Sequence, residues 1–450
     1  MKKASLLEDY LQKYACDDKW RLITHDGKDV SCAVVIPAYA EKKSLFFTLA
    51  SLAKNSASSL EDTLVLCVIN NRVNSPREDI KNNLETLEIL ASLVGKKSFD
   101  KYRVERKLHE QLTELADKKI KIGYIDAASK GEALPSERGG VGMARKIGMD
   151  AVLRLWQKEM PAKKLLINLD ADTLVEDNYL SAIKNHFSGE VKTAVTAYAH
   201  EMPPEDAARA AICFYEIYLR YWVLGLRGAK SPYAYQAIGS TIITTTDAYL
   251  EVRGMNRRQA GEDFYFLNKL AKVGKISYLR DTRVYPSARP SLRVPFGTGK
   301  SIHNFLTAAN QKYLLYDPRV FAVVGSWVKL MEEKSAAEIA EIKENTRRIH
   351  PCLEGFLKIC RFEDNWSKIS ANAKSEKILV KQFHLWFDAF KTLKLINYLT
   401  REAYPQINMF TALREIRRLS GCNDFPFSER AGADSLDEQM SWLKCLREIT

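Results

Sequence analysis

Short apolar runs, each closed by a polar or turn residue, recur along the first two-thirds of the chain. Cys32-Ala33-Val34-Val35-Ile36-Pro37, Thr63 to Ile69, Ile120 to Ile125 and Leu165 to Leu169 read as buried strands. Between them the period lengthens to that of helices. One helix opens near Lys43 and runs to Lys54; another spans Val141 to Trp156 behind Gly-rich punctuation. This alternation predicts an α/β fold with a mixed, mostly parallel sheet flanked by helices. Residues 78–118 are charged and helix-periodic, with Leu84, Leu87, Leu90 and Leu93 spaced for one face. That is long for a strand connection, so a helical insertion is expected over about 76–118.

Farther along, Thr193 to Tyr198 and Ile238 to Thr244 read as strands, and Ala207 to Leu226 and Glu262 to Lys272 as helices. After His303 the β signal nearly vanishes, and 305–450 reads as amphipathic helices joined near Pro351 and Gly421. The expected organisation is an α/β domain over 1–302 and a helical region over 303–450, with a short helical lead-in over 1–30.

Composition changes this picture little. At 450 residues, 46% hydrophobic and 28% charged, the chain is that of a soluble globular protein with room for a large core. An excess of 68 Lys+Arg over 56 Asp+Glu suits anionic partners. Nucleic acid is not favoured, for want of a dense basic run or a reader motif. The best membrane-span candidate, Ala210 to Leu226, is interrupted by Glu216 and Arg220 and suits a buried or amphipathic helix better. Eight scattered cysteines without a C-x-x-C pair suit a reducing compartment, so a cytoplasmic location is expected, with peripheral contact at the inner face of the membrane left open.

The chemistry concentrates in a few short motifs. Leu165 to Leu169 ends in Asp170-Ala171-Asp172, two carboxylates around a small residue at the carboxyl edge of a strand. Such a pair suits a hard divalent cation, which in turn suits a phosphate. Pro37-Ala38-Tyr39-Ala40-Glu41 follows the first strand, where a ligand bound across the strand ends would meet it. Gly139-Gly140-Val141-Gly142-Met143-Ala144-Arg145-Lys146 is no dinucleotide fingerprint, because Arg145 stands where the last glycine belongs; a phosphate or ribose contact by Arg145 remains open. Gly297-Thr298-Gly299-Lys300-Ser301 is no P-loop, because Val294 stands where the first glycine belongs. Arg289, Arg293, Lys300 and His303 still make a basic loop suited to covering a diphosphate. In Gly261-Glu262-Asp263, the acids suit the helix dipole of a first turn; the functional reading is a general base among aromatic neighbours.

Taken in order from Cys32 to Tyr285, these pieces resemble the family 2 glycosyltransferases of the GT-A fold. The opening segment through Glu41 (with Ala40 where the family usually has Asn), Ala144-Arg145-Lys146, Asp170-Ala171-Asp172, Gly239-Ser240 and Glu262-Asp263 carry the resemblance. It departs at Asn70-Asn71, where many members have acids, and in the helical insertion. The Gln-x-x-Arg-Trp motif of processive synthases is not found.

The resemblance implies a GT-A-like, Rossmann-like domain that moves a sugar from a nucleotide-diphosphate sugar to an acceptor hydroxyl with inversion, one sugar at a time. It implies Mg²⁺ or Mn²⁺ at Asp172 and Asp170; His303, in the basic loop beyond the stretch of resemblance, is a further candidate ligand. Pro37, Ala38, Tyr39, Glu41, Asn70, Arg145 and Asp170 would line the donor, and Asp263, with Glu262 as its competitor, would be the base. The alternatives are a sugar-phosphate nucleotidyltransferase and a non-catalytic nucleotide-sugar-binding or scaffold protein.

Overall fold

The computed structural model describes residues 2–98, 102, 105–137, 139–157, 163–291, 297–307, 313–420 and 435–450. Helix α1 (Lys2–Lys13) and a short strand β1 (Ile23–Thr24) precede β2 (Cys32–Ala38), α2 (Lys42–Ala53), α3 (Ala57–Glu61) and β3 (Thr63–Asn70). The expected insertion is two helices, α4 (Arg77–Val94) and α5 (Arg106–Asp117), leading to β4 (Lys121–Ala127). Then come α6 (Val141–Trp156), β5 (Leu165–Asn168), β6 (Thr173–Val175), α7 (Tyr179–His186) and β7 (Thr193–Tyr198). They are followed by α8 (Asp206–Gly228), β8 (Ile242–Thr245), α9 (Thr246–Glu251), α10 (Glu262–Val273), β9 (Ile276–Pro286) and α11 (Thr298–Thr307).

Strands β1 to β9 form one sheet in the order β1-β4-β3-β2-β5-β8-β7-β9-β6. Its long ladders, β2 with β3 and β5, β3 with β4, and β7 with β9, are parallel; the short ones are antiparallel. β2 and β3 are buried at every position, as expected of central parallel strands covered on both faces. From β2 the chain runs to β3 and β4 on one side, while β5 adds on the other. The order therefore reverses between β2 and β5, the kind of switch point beside which open α/β sheets bind ligands at their carboxyl edge.

Three features differ from the sequence expectation. β9 escapes notice because Arg280-Asp281-Thr282-Arg283 interrupts its apolar pattern; the register against β7 jumps there, from Leu279 beside Thr196 to Arg283 beside Ala197. Leu84 is exposed, whereas Leu87 and Leu90 are buried. A spacing of three drifts by roughly 60° per step around a helix, so four such leucines cannot share one stripe. The basic stretch expected as loop to His303 is helical from Thr298, and residues 292–296, with Arg293, lie outside the described residues.

Packing divides the chain into two units: 1–202 with 237–300, and 203–236 with 301–450. Helix α8 thus groups with the C-terminal helices although strands of the sheet flank it in sequence. The second unit pairs two short strands, β10 (Leu314–Leu315) and β11 (Ile407–Asn408), among helices such as α12 (Pro318–Lys334). Its core joins Ile217, Tyr221 and Leu224 of α8 to Phe321, Val324 and Trp327 of α12. Glu216 and Arg220 are buried in α8 as partners of each other, 2.9 Å apart, and Glu216 also accepts from Arg447 at 2.7 Å. The expected joint at Gly421 lies outside the described residues. No helix among the described residues is long and apolar enough to cross a membrane.

In the first unit, α1 is fastened to α6 by buried polar groups. Asp150 accepts from the Tyr10 hydroxyl (2.7 Å), the Tyr249 hydroxyl (3.0 Å) and the Cys16 backbone N–H (2.7 Å), and pairs with Lys146 at 3.1 Å. This contact sets the position of the helix that carries Arg145.

Candidate functional site

The loops leaving β2 and β3 meet at the carboxyl edge of the sheet. Pro37, Tyr39, Asn70, Asn71 and Arg72 line a cavity of about 140 Å³ there, with Gly139, Gly140 and Gln259 across from them. Three of the residues predicted to face a donor are thus brought together. The Asn70 side chain is 6% exposed, and its Oδ1 has no hydrogen-bond donor among the described residues.

What shapes this wall is α4, a helix the sequence predicted without singling out its Asp79, Asn82 or Asn83. Asp79 accepts from the Tyr39 hydroxyl at 2.5 Å, Asn82 from the Lys42 backbone N–H at 3.0 Å and Asn83 from the Ala40 backbone N–H at 2.8 Å. The Asn83 amide also donates to the Asn70 carbonyl and to Asn71 Oδ1, both at 3.0 Å. One buried asparagine therefore ties both loops together. The turn at Ala40 is held at φ 53°, a left-handed conformation that Asn or Gly adopts at less cost.

β5 ends at Asn168, one residue earlier than its apolar run suggested, so Asp170 and Asp172 lie on the turn into β6. They face different partners. Asp170 pairs with Arg145, whose other Nη lies 2.5 Å from Glu262 Oε1. Arg145 and Glu262 are both buried. The guanidinium is thus a hub joining α6, the turn after β5 and the first turn of α10. The expected phosphate or ribose contact of Arg145 does not fit this placement, because its side chain is 2% exposed and engaged by carboxylates. Burial opposes its charge, but Asp170, Glu262 and Asp263 outweigh that and raise its pKa further.

The glycines around the hub serve close packing. A Cβ on Gly142 would lie 2.6 Å from the Asn256 carbonyl oxygen and 2.8 Å from Glu262 Cβ, so this glycine lets α6 abut the segment that carries the acids. Gly140 serves a separate approach, since a Cβ there would lie 2.6 Å from Gln259 Cα.

Glu262 and Asp263 open α10 behind Gly261, which holds φ 69°. Burial, opposed by Arg145 and reinforced by Asp263 and Asp170, raises the Glu262 carboxyl to about 7. Asp263 is raised for the same first reason and is likewise held back by Arg145. Asp263 also accepts from the Phe264 backbone N–H at 2.7 Å. Of the two, Glu262 is enclosed in an ion pair and Asp263 is partly exposed.

Asp172 faces Glu41 and Arg289. Arg289 Nη2 lies 2.5 Å from Glu41 Oε1 and 3.4 Å from Asp172 Oδ2. Burial and the carboxylates of Glu41 and Asp170 raise Asp172 to about 7, against the pull of Arg289. Glu41, expected on the donor side, therefore stands beside the Asp-x-Asp turn.

No group of three or more His, Cys, Asp or Glu among the described residues is arranged to hold a metal. The donors present are hard carboxylate oxygens, which suit Mg²⁺ or Mn²⁺ only where phosphate and water complete the shell. His303 falls in the second unit, on α11, so it is not among the residues that the first unit gathers.

No protein-family model matches the chain, and no curated protein matches it in sequence. Among solved structures, S. aureus TarS 1-349 superposes with a TM-score of 0.34 at 12% identity, covering 73% of this chain and 91% of that one. The same TarS fragment in complex with UDP-GlcNAc gives 0.33 at 16% identity, covering 71% of each chain. The mannosyltransferase PcManGT from Pyrobaculum calidifontis, in complex with GDP-Man and Mn2+, gives 0.35 at 12% identity, covering 100% of this chain and 93% of that one. Likeness this loose carries no argument about chemistry, which rests on the site's own residues.

Proposed function

We propose that the chain is a glycosyltransferase that moves a sugar from a nucleotide-diphosphate sugar to an acceptor hydroxyl. The observation that supports this best is the joining of three parts at the carboxyl edge of the sheet. A cavity walled by Pro37, Tyr39 and Asn70 suits a nucleoside, the Asp170–Asp172 turn suits the diphosphate side, and the hub of Arg145 links Asp170 to the acidic pair Glu262-Asp263.

In this reading Asp172, with Asp170, would hold Mg²⁺ or Mn²⁺, which when bound supplies charge neutralisation for the leaving diphosphate. Asp263 takes the proton of the acceptor hydroxyl as that oxygen attacks the anomeric carbon from the face opposite the leaving group. Burial keeps its pKa above the ordinary carboxylate value, which favours proton uptake. Arg145 orients the acids and limits how far their repulsion raises their pKa. Inversion and transfer of a single sugar belong to this proposal; the anomeric configuration of the product reports the first and its length the second.

The test is a panel of nucleotide-diphosphate sugars, with and without Mn²⁺, read by calorimetry and by released nucleotide. Release of nucleoside diphosphate on adding an acceptor supports transfer of the sugar. Release of pyrophosphate from a nucleoside triphosphate and a sugar phosphate would favour the nucleotidyltransferase alternative, and donor binding without turnover the non-catalytic one. Full activity in excess EDTA would remove the metal from the mechanism.

A further inference from the structure

The carboxylates at the Asp-x-Asp turn already have a cation. Arg289 reaches both Glu41 and Asp172, which come from the ends of different strands, β2 and β5. Its segment is fastened on both sides. The Ser287 backbone N–H donates to the Asp172 carbonyl at 3.1 Å, and the Ser291 backbone N–H donates to the Gly299 carbonyl at 3.0 Å. The Arg289 backbone N–H donates to Ser287 Oγ at 3.2 Å. The guanidinium is therefore delivered to Asp172 by backbone bonds close to it in the chain, one of them to Asp172 itself. At 40% exposure, the Arg289 side chain is free to swing outward without breaking those bonds.

A guanidinium held against Glu41 and Asp172 disfavours a divalent cation at the same carboxylates, because the two positive charges repel and both draw on the same negative charge. Without a ligand, Nη2 of Arg289 bridges one oxygen of Glu41 and one of Asp172, and its positive charge repels a second cation. A diphosphate changes the balance, because its oxygens offer the guanidinium a matching bidentate partner while completing a metal's coordination shell.

We propose that Arg289 is the resident counter-cation of the Glu41–Asp172 pair, competing with a divalent cation for it and yielding only when a nucleoside diphosphate arrives. This rests on the transferase reading for the identity of the ligand, but not for the competition itself. Metal and diphosphate then enter together, and metal alone binds poorly. Arg289 is a positioning residue in this scheme, acting through the carboxylates and the diphosphate.

The experiment is Mn²⁺ binding to the full chain, followed by calorimetry and by the electron-spin signal of free Mn²⁺, with and without UDP or GDP. In Arg289→Ala, Mn²⁺ alone should bind about tenfold more tightly than in the unaltered protein, since an occupied site lowers apparent affinity by its unoccupied fraction. The gain from adding nucleoside diphosphate should shrink correspondingly. Arg289→Lys, which keeps the charge but not the bidentate match to a diphosphate, should fall between, and Asp172→Ala combined with Arg289→Ala should abolish the gain. Equal Mn²⁺ affinity in the unaltered and Arg289→Ala proteins, both folded by circular dichroism, would overturn the proposal. So would the absence of Mn²⁺ binding in every variant, even where UDP or GDP binds; the transferase reading would survive that result. Tighter Mn²⁺ binding in Arg289→Ala without binding of either nucleoside diphosphate would support the competition and count against the transferase reading.

Discussion

Arg145 and Gly239 fit so closely that a Cβ on Gly239 would overlap both terminal nitrogens of the guanidinium. A single methyl group at 239 should therefore push Arg145 off Asp170 and Glu262 without altering any charge. Separating one member of a buried pair typically costs about 3–5 kcal/mol. Gly239→Ala is expected to lose stability of that order in urea unfolding, and to lose donor binding as Asp170 is released. A change within about 0.5 kcal/mol would mean that the hub has slack that this packing denies.

The acidic pair should divide its work unequally. Asp263→Asn keeps the size and the contact with the Phe264 N–H while removing the base. Transfer should fall by about 10²–10⁴-fold while donor binding holds. Glu262→Gln weakens the grip on Arg145, so its loss should show in donor affinity and stability as well as rate. The reverse pattern, with transfer intact in Asp263→Asn, would make Glu262 the base.

The fastening of α1 to α6 is testable at a distance from the reacting groups. Tyr10→Phe removes one of the donors to buried Asp150 and an acceptor from Lys146. A cost of about 1–3 kcal/mol is expected in urea unfolding. Donor binding by the folded fraction should change little, because Tyr249 and Cys16 still hold Asp150.

Two thiols report on the centre of the sheet. Burial pushes Cys32 and Cys67, on β2 and β3, up to about 12. Native protein should leave both unalkylated by iodoacetamide near pH 8, roughly the range where a free cysteine reacts, and unfolding should expose both. The sign of the pH effect follows. Between the ordinary thiol value of 9.0 and about 12, the unfolded chain releases protons that the folded chain keeps, so stability falls as pH rises through that window. A Cys67→Ala variant should show a shallower fall between those limits when unfolding is followed by fluorescence.

The contrast between what sequence reveals and what it hides has a physical cause. β2, β3 and β5 were legible because central strands are apolar at nearly every position, and α6 because a long helix-forming run follows Gly-rich punctuation. Asp170, Asp172, Glu262 and Asp263 were legible as short motifs at element ends. Their partners were not. Arg145 was visible as a charge, but its burial between Asp170 and Glu262 depends on Gly239, 94 positions away by subtraction of the two residue numbers. Arg289 was visible in a basic stretch, yet its placement beside Glu41 and Asp172 is a matter of how β6 and β9 pair. Asn83 left only one faint signal, an Asn82-Asn83 pair within a helical run.

The grip of α4 on the two loops also bears on how such a cavity could be altered. Asp79, Asn82 and Asn83 hold both loops, and they cluster in the first half of the helix. A loop exchanged on its own, to retune which nucleoside is accepted, would arrive without the side chains that give it shape. The heritable module is the pair of loops together with the opening turns of the neighbouring helix, whose later turns serve it indirectly by anchoring the helix through buried Leu87 and Leu90.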